Sequence, residues 1–140
     1  MKFSLDSYKV ERRAIAPGGS VTLSMTFPPS VNNLFANSNC GGRFPSKQYK
    51  AWKDENAWAL LAGKFSRVAG PVRLLFEVED KAGRRDIDNL LKAPLDLLVK
   101  HNFIDGDHRS VVREITARWV HGVTGVRITI SQAESARAAA

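Results

Sequence analysis

The chain holds a single cysteine, Cys40, in 140 residues. No intrachain disulfide can form and no multi-cysteine zinc site can be built, so a reducing interior, with a cytoplasmic location, is the simpler expectation. No apolar run reaches the roughly 18 residues a transmembrane helix needs, and no membrane partner is expected. The opening Met1-Lys2-Phe3-Ser4-Leu5-Asp6 lacks a signal-peptide hydrophobic core, because Asp6 interrupts it. The histidines His101, His108 and His121 are scattered along the chain, which argues against a shared zinc site. No internal repeat is visible.

What is present is an ordinary globular mixture with a basic excess. Hydrophobic residues make up 44% and charged residues 25% of the chain. The length fits one domain able to bury a proper core, expected over 1–130, with an Ala-rich tail over 131–140 as a short helix or frayed end. The net charge is +7, from 21 Lys+Arg against 14 Asp+Glu, which favours polyanionic partners and speeds encounter with them.

Periodicity predicts an α/β (α+β) fold, a small mixed β-sheet with packed helices. Val21, Leu23, Met25 and Phe27 alternate on one face of a strand that Pro28-Pro29 ends. Residues 30–50 read as a long, mobile, basic loop carrying Arg43, Lys47 and Lys50. Ser46 caps a helix expected to run to about Val68, and Ala69-Gly70-Pro71 stops it. Val72, Leu74, Phe76 and Val78 face one way on a second strand. A helix follows from about Ile87 to Val99 or Lys100, with an apolar stripe of Ile87, Leu91, Leu95 and Leu98 and a kink expected at Pro94. Residues 109–119 form a strand, expected to join Val126–Ile130 as a hairpin through 121–125.

The chemistry gathers around Arg84-Arg85-Asp86-Ile87-Asp88-Asn89-Leu90-Leu91-Lys92-Ala93-Pro94-Leu95-Asp96. Asp86 and Asp88 stand two residues apart, Lys92 lies one helical turn beyond Asp88, and Asp105-Gly106-Asp107 follows the helix. Cleaving a phosphodiester adds charge to a group already negative. Magnesium or manganese stabilises that charge, needs only two or three carboxylate oxygens and keeps several waters. Asp86, Asp88 and either Asp105 or Asp107 can supply those oxygens, with Lys92 at the phosphate. The bland alternatives are specific: Asp86 or Asp88 as a helix cap, Lys92 as an intrahelical partner of Asp88 or Asp96, and the 105–107 acids as turn chemistry. Arg84 and Arg85 are the nearest candidate phosphate contacts, followed by Arg43, Lys47 and Lys50. Phe35 can be a core or hinge residue, or a wedge between bases.

The run Asp86-Ile87-Asp88-Asn89-Leu90-Leu91-Lys92-Ala93, then Asp96-Leu97-Leu98, resembles the signature of the RusA family of Holliday junction resolvases. Phe27-Pro28-Pro29-Ser30-Val31-Asn32-Asn33 and Asp105-Gly106-Asp107 fit the same pattern, and the likeness spans roughly Phe27 to Ile130. The resemblance implies a RusA-like fold and a homodimer that binds four-way junction DNA. It implies cutting of paired strands with Mg2+, for which Mn2+ can substitute. By matching positions, Asp86 and Asp88 are the first two catalytic acids and metal ligands, Lys92 the catalytic lysine and Asn89 a supporting residue that contacts DNA. The third acid falls on Asp107, with Asp105 second, because Gly106 separates two acids that are adjacent in the family. The alternatives kept beside this reading are a nuclease for other branched DNA or RNA, and a non-catalytic binder of branched nucleic acid.

Overall fold

The computed structural model describes residues 10–134. In chain order the elements are β1 (Ser20–Met25), a 3-10 turn (Val31–Asn33), β2 (Phe35–Asn37), β3 (Arg43–Pro45), α1 (Lys47–Ala62), β4 (Val72–Glu79), a second 3-10 turn (Ile87–Leu90), α2 (Lys92–Lys100), β5 (Val112–Val120) and β6 (Val126–Gln132). Four strands form one mixed sheet in the order β1-β6-β4-β5, in which only β4 and β5 are parallel, and β2 and β3 form a separate hairpin. This is a mixed α/β fold with a small sheet and packed helices.

Alternation builds the sheet's inner face. Val21, Leu23 and Met25 of β1, Val72, Leu74, Phe76 and Val78 of β4, and Val126, Ile128 and Ile130 of β6 are all buried. Tyr49, Trp52 and Leu60 of α1 belong to the same core, as do Ala93, Leu97 and Leu98 of α2 with Phe103 and Ile104 beyond it. Each large side chain buried here contributes roughly 1.5–3 kcal/mol. The opposite face carries Thr22, Arg73, Arg118, Arg127 and Thr129. On that face Glu77 is buried between two arginines, accepting from Arg118 Nη2 and Arg127 Nε, each at 3.0 Å. Those bonds hold the Glu77 carboxyl below its ordinary pKa.

The structure corrects the expected hairpin of the last two strands. β6 pairs antiparallel with β4 on one side and β1 on the other, while β5 lies parallel to β4 at the sheet edge. Burial explains the order. β6 carries three fully buried core residues and sits between neighbours, whereas Ile115 and Trp119 leave β5 43% and 36% exposed at those positions, suited to an edge. A parallel β4–β5 pair requires a crossover, and α2 supplies it.

The expected long loop over 30–50 is ordered as a 3-10 turn and the β2–β3 hairpin. Helix α1 starts where Ser46 caps it, its Oγ accepting from Tyr49 N–H at 3.1 Å, but it ends at Ala62 rather than near Val68. Gly63 leaves the helix in an extended conformation, and a Cβ there would collide with the Phe65 ring. The single kinked helix expected from Ile87 is two segments. Leu91 separates the 3-10 turn from α2, and Pro94 falls in the first turn of α2, where its missing N–H costs nothing. β6 continues through Gln132, beyond the expected boundary at 130. The N-terminal hexapeptide and most of the expected tail lie outside the described residues.

Candidate active site

The β4–β5 crossover carries the acidic motif. β4 ends at Glu79, and the chain turns through 80–86 into the 3-10 turn that holds Asp88 and Asn89. Asp86 occupies the capping position of that turn with an extended backbone, yet its side chain makes no capping bond. Neither the Asp86 nor the Asp88 carboxylate has a hydrogen bond or ion pair among the described residues, and both are exposed. Capping therefore does not account for them.

Lys92 opens α2. Its Nζ lies 3.1 Å from Asp96 Oδ1 and 3.9 Å from Asp107 Oδ2, so one ammonium bridges an acid one helical turn ahead and an acid from the loop beyond the helix. Asp96 is held in turn: the Tyr49 hydroxyl donates to its Oδ2 at 3.4 Å. Burial, then the charge and hydrogen bond of Asp96, push the Tyr49 hydroxyl up to about 12, which keeps the proton on the donor. The Tyr49 ring stacks on Trp52 at 6.3 Å and meets the edge of Phe35 at 5.9 Å, so the helix start, the hairpin and the lysine are packed as one unit.

The two acids around Gly106 diverge. Asp105 Oδ2 accepts the Gly70 N–H at 2.8 Å and Oδ1 pairs with Arg67. The Gly70 bond first, then Arg67, hold its carboxyl below the ordinary range. Asp105 thus ties the segment before β4 to the loop after α2. Asp107 faces Lys92. His108 Nδ1 lies 2.7 Å from Ser110 Oγ, a local turn contact.

Asp86 also borders a groove of about 520 Å3 formed with Phe27–Ser30, Asn32, Asn33, Gln48, Lys81, Arg84, Arg85, Asn89 and Leu90. Its far wall is fixed by Asn56, which is buried. Asn56 Oδ1 accepts from Thr26 N–H at 2.9 Å and its Nδ2 donates to Thr26 Oγ1 at 3.0 Å, while Trp52 Nε1 donates to Thr26 O at 3.0 Å. These bonds fasten the Phe27-Pro28-Pro29 stretch to α1. Lys81 Nζ and the Arg85 guanidinium lie 4.6 and 5.3 Å from the Phe27 ring centre. Arg43, on β3, lies 5.3 Å from the Phe35 ring centre. Lys47 and Lys50 are exposed in the first turn of α1.

Of the residues singled out from the sequence, Lys92 and Asp107 are thus brought into contact, while Arg84, Arg85, Asp86 and Asn89 share the groove. Among the described residues no three Asp, Glu, His or Cys side chains converge as a ready-made metal cluster. One contributor escaped sequence reasoning. Asp96 was visible as a helical neighbour of Lys92, but Tyr49 lies 47 positions away from it and carries no local signal. Among the described residues no helix is long and apolar enough to cross a membrane.

A family model described as Endodeoxyribonuclease RusA matches residues 26–131. No curated protein matches the chain. The match covers most of the sequence, and the chain belongs to the RusA family.

Proposed function

We propose that this member of the RusA family is a magnesium-dependent endonuclease that resolves four-way DNA junctions by hydrolysing one phosphodiester on each of two paired strands. The observation that carries the reading is the position of Lys92, its ammonium set between Asp96 and Asp107 on the same crossover as two carboxylates that no other described residue engages.

Asp86, Asp88 and Asp107 would hold the cation, and Asp105, both of whose oxygens are engaged, would not. The donor set suits Mg2+ or Mn2+, because these hard ions take a few carboxylate oxygens together with substrate phosphate and water, not a closed protein cage. Such an ion supplies an activated water and charge stabilisation at the phosphate. Lys92 donates to an oxygen of the scissile phosphate, and Asp96 with Tyr49 keeps its Nζ on station. Arg84 and Arg85 hold the cut strand through its phosphates, Asn89 supports them at the groove, and Arg43, Lys47 and Lys50 contact a flanking arm. A homodimer places two such sites on strands related by the near two-fold symmetry of a junction and carries +14, twice +7, toward the DNA. Its binding weakens steeply with salt. The exposed thiol of Cys40 suits work in the cytoplasm.

The test is a labelled four-way junction incubated with and without Mg2+, the products mapped on each strand, for wild type and Asp88→Asn. Wild type cuts paired strands only with the metal. Asp88→Asn binds at least as tightly, having lost a negative charge, and does not cut. Normal cutting by that variant refutes the assignment. Cutting of flaps, splayed duplexes or RNA in preference to junctions moves the enzyme to another substrate.

A further inference from the structure

The groove beside Asp86 has more chemistry than a phosphate track requires. Asn32, Asn33, Gln48 and Asn89 bring four carboxamides to its lining. Asn33 Nδ2 donates to Ser30 Oγ at 3.4 Å, but the side chains of Asn32, Gln48 and Asn89 make no hydrogen bond among the described residues. A carboxamide offers a donor and an acceptor side by side. A phosphate presents acceptors only and is matched by cations. A nucleobase edge presents donors and acceptors in a fixed order, and the paired amide fork is its complement.

Charge separates the two ligands further. The Asp86 carboxylate is part of the lining, and it repels a phosphate brought inside without a metal. A neutral base meets no such penalty. The cations of this region are disposed differently: the Lys81 and Arg85 head groups lie against the Phe27 ring, and Arg85 Nη1 also donates to Ala82 O. They are placed to hold backbone on either side of whatever enters. The volume of about 520 Å3 falls within the range of small-molecule sites and has room for one nucleoside.

We propose that this groove receives one unstacked nucleobase of the cut strand, next to the phosphate at Asp86, and that Gln48 and Asn32 read its edge and so impose a nucleotide preference at the cut. The inference rests on the nuclease reading and extends it from cleavage to sequence choice. Unstacking is costly in a regular duplex and less so where strands already exchange partners, which suits a branch point. A well-formed amide–base pair discriminates by roughly tenfold against the wrong base.

Two measurements test it. In the first, four junctions differing only in the nucleotide adjoining the cut are cleaved with Mg2+. Wild type separates the best from the worst by roughly tenfold, whereas Gln48→Ala and Asn32→Ala narrow the spread to about twofold. Both side chains are exposed, so neither change threatens the fold. An even rate on all four junctions with wild type, or an undiminished spread in both variants, overturns the proposal. In the second, 2-aminopurine replaces that nucleotide and fluorescence is read on binding in metal-free buffer, where nothing is cut. The signal rises with wild type as the base leaves the stack and fails to rise with Gln48→Ala. No rise with wild type, or an equal rise with both proteins, overturns it. A wild-type protein that cuts no junction removes the nuclease reading, and the fluorescence arm then decides the groove by itself.

Discussion

Replacing Asp105 and Asp107 separately by alanine should divide stability from catalysis, although the two stand only two residues apart. Asp105→Ala leaves the Gly70 N–H and the Arg67 guanidinium without their acceptor. A hydrogen bond to a charged group is worth about 1.5–3 kcal/mol, and an ion pair this exposed adds about 0.5 kcal/mol. Arg67 keeps its Nε bond to Asn102 O at 3.4 Å, which lowers the total. The expected loss is about 2 kcal/mol, or about 4–8 °C in Tm for a chain of this size. Because its carboxyl is held below the ordinary 3.8, this contribution is fully present above that pH and disappears as pH falls through the lowered value, so the two melting curves converge in acid. Asp107→Ala removes only a surface partner 3.9 Å from Lys92, worth about 0.5 kcal/mol or less, and shifts Tm by about 2 °C at most. Its metal-dependent cutting should nonetheless fall at least about 100-fold, since a lost ligand forfeits several kcal/mol of charge stabilisation. Melting followed by circular dichroism, and single-turnover cleavage well below both midpoints, measure the pair. The reasoning fails if Asp105→Ala stops cutting while its Tm stays at the wild-type value.

Asp96→Asn keeps an acceptor for Tyr49 but withdraws the charge facing Lys92. Single-turnover cleavage should slow about tenfold, roughly 1.4 kcal/mol, with junction affinity within about twofold of wild type; an unchanged rate removes Asp96 from the site. His101 is buried, its Nδ1 has no partner among the described residues, and burial, then Arg12, lower its pKa from 6.5 to about 4. The unfolded chain takes up that proton first, so folding stability should drop by on the order of 2–3 kcal/mol as pH falls from about 6.5 to about 4. His101→Leu should flatten that part of the pH–Tm curve, and an unaltered slope excludes His101 as its source. Glu77→Gln strips the charge shared by Arg118 and Arg127 and should cost about 1–3 kcal/mol in urea melts at neutral pH. The difference is lost as pH falls through the depressed pKa of Glu77, and a variant as stable as wild type at pH 7 contradicts the network's role.

The elements that local pattern specifies were legible. β1 and β4 alternate because one face meets the helices, and Ser46 marks the start of α1 by a bond made three residues away. Strand adjacency was not legible, because β6 lies next to β4 through partners some fifty positions apart, and a Gly-containing turn between two strand-like runs imitates a hairpin. The β2–β3 hairpin was hidden by Asn, Ser and Gly residues that read as loop, in strands of three residues each. At the site, the spacing of Asp86, Asp88 and Lys92 was open to reading since it lies within one short stretch. The divergence of Asp105 from Asp107 was not legible, because the partners of Asp105, Arg67 and Gly70, reach the loop from the other side of β4 in sequence.

The parallel pairing of β4 with β5 has one further consequence. It gathers the proposed metal-binding acids and Lys92, from Asp86 to Asp107, on a single uninterrupted tract of chain. Elsewhere the first and last strands of the sheet lie side by side, Ser20 opposite Ser131. The sheet can therefore be re-threaded in a permutant that opens new ends at Gly122 and joins the segments flanking Ser20 and Ser131 through a flexible linker. Such a permutant would shift the order of the strands in the gene while carrying the scissors whole, its blades never parted.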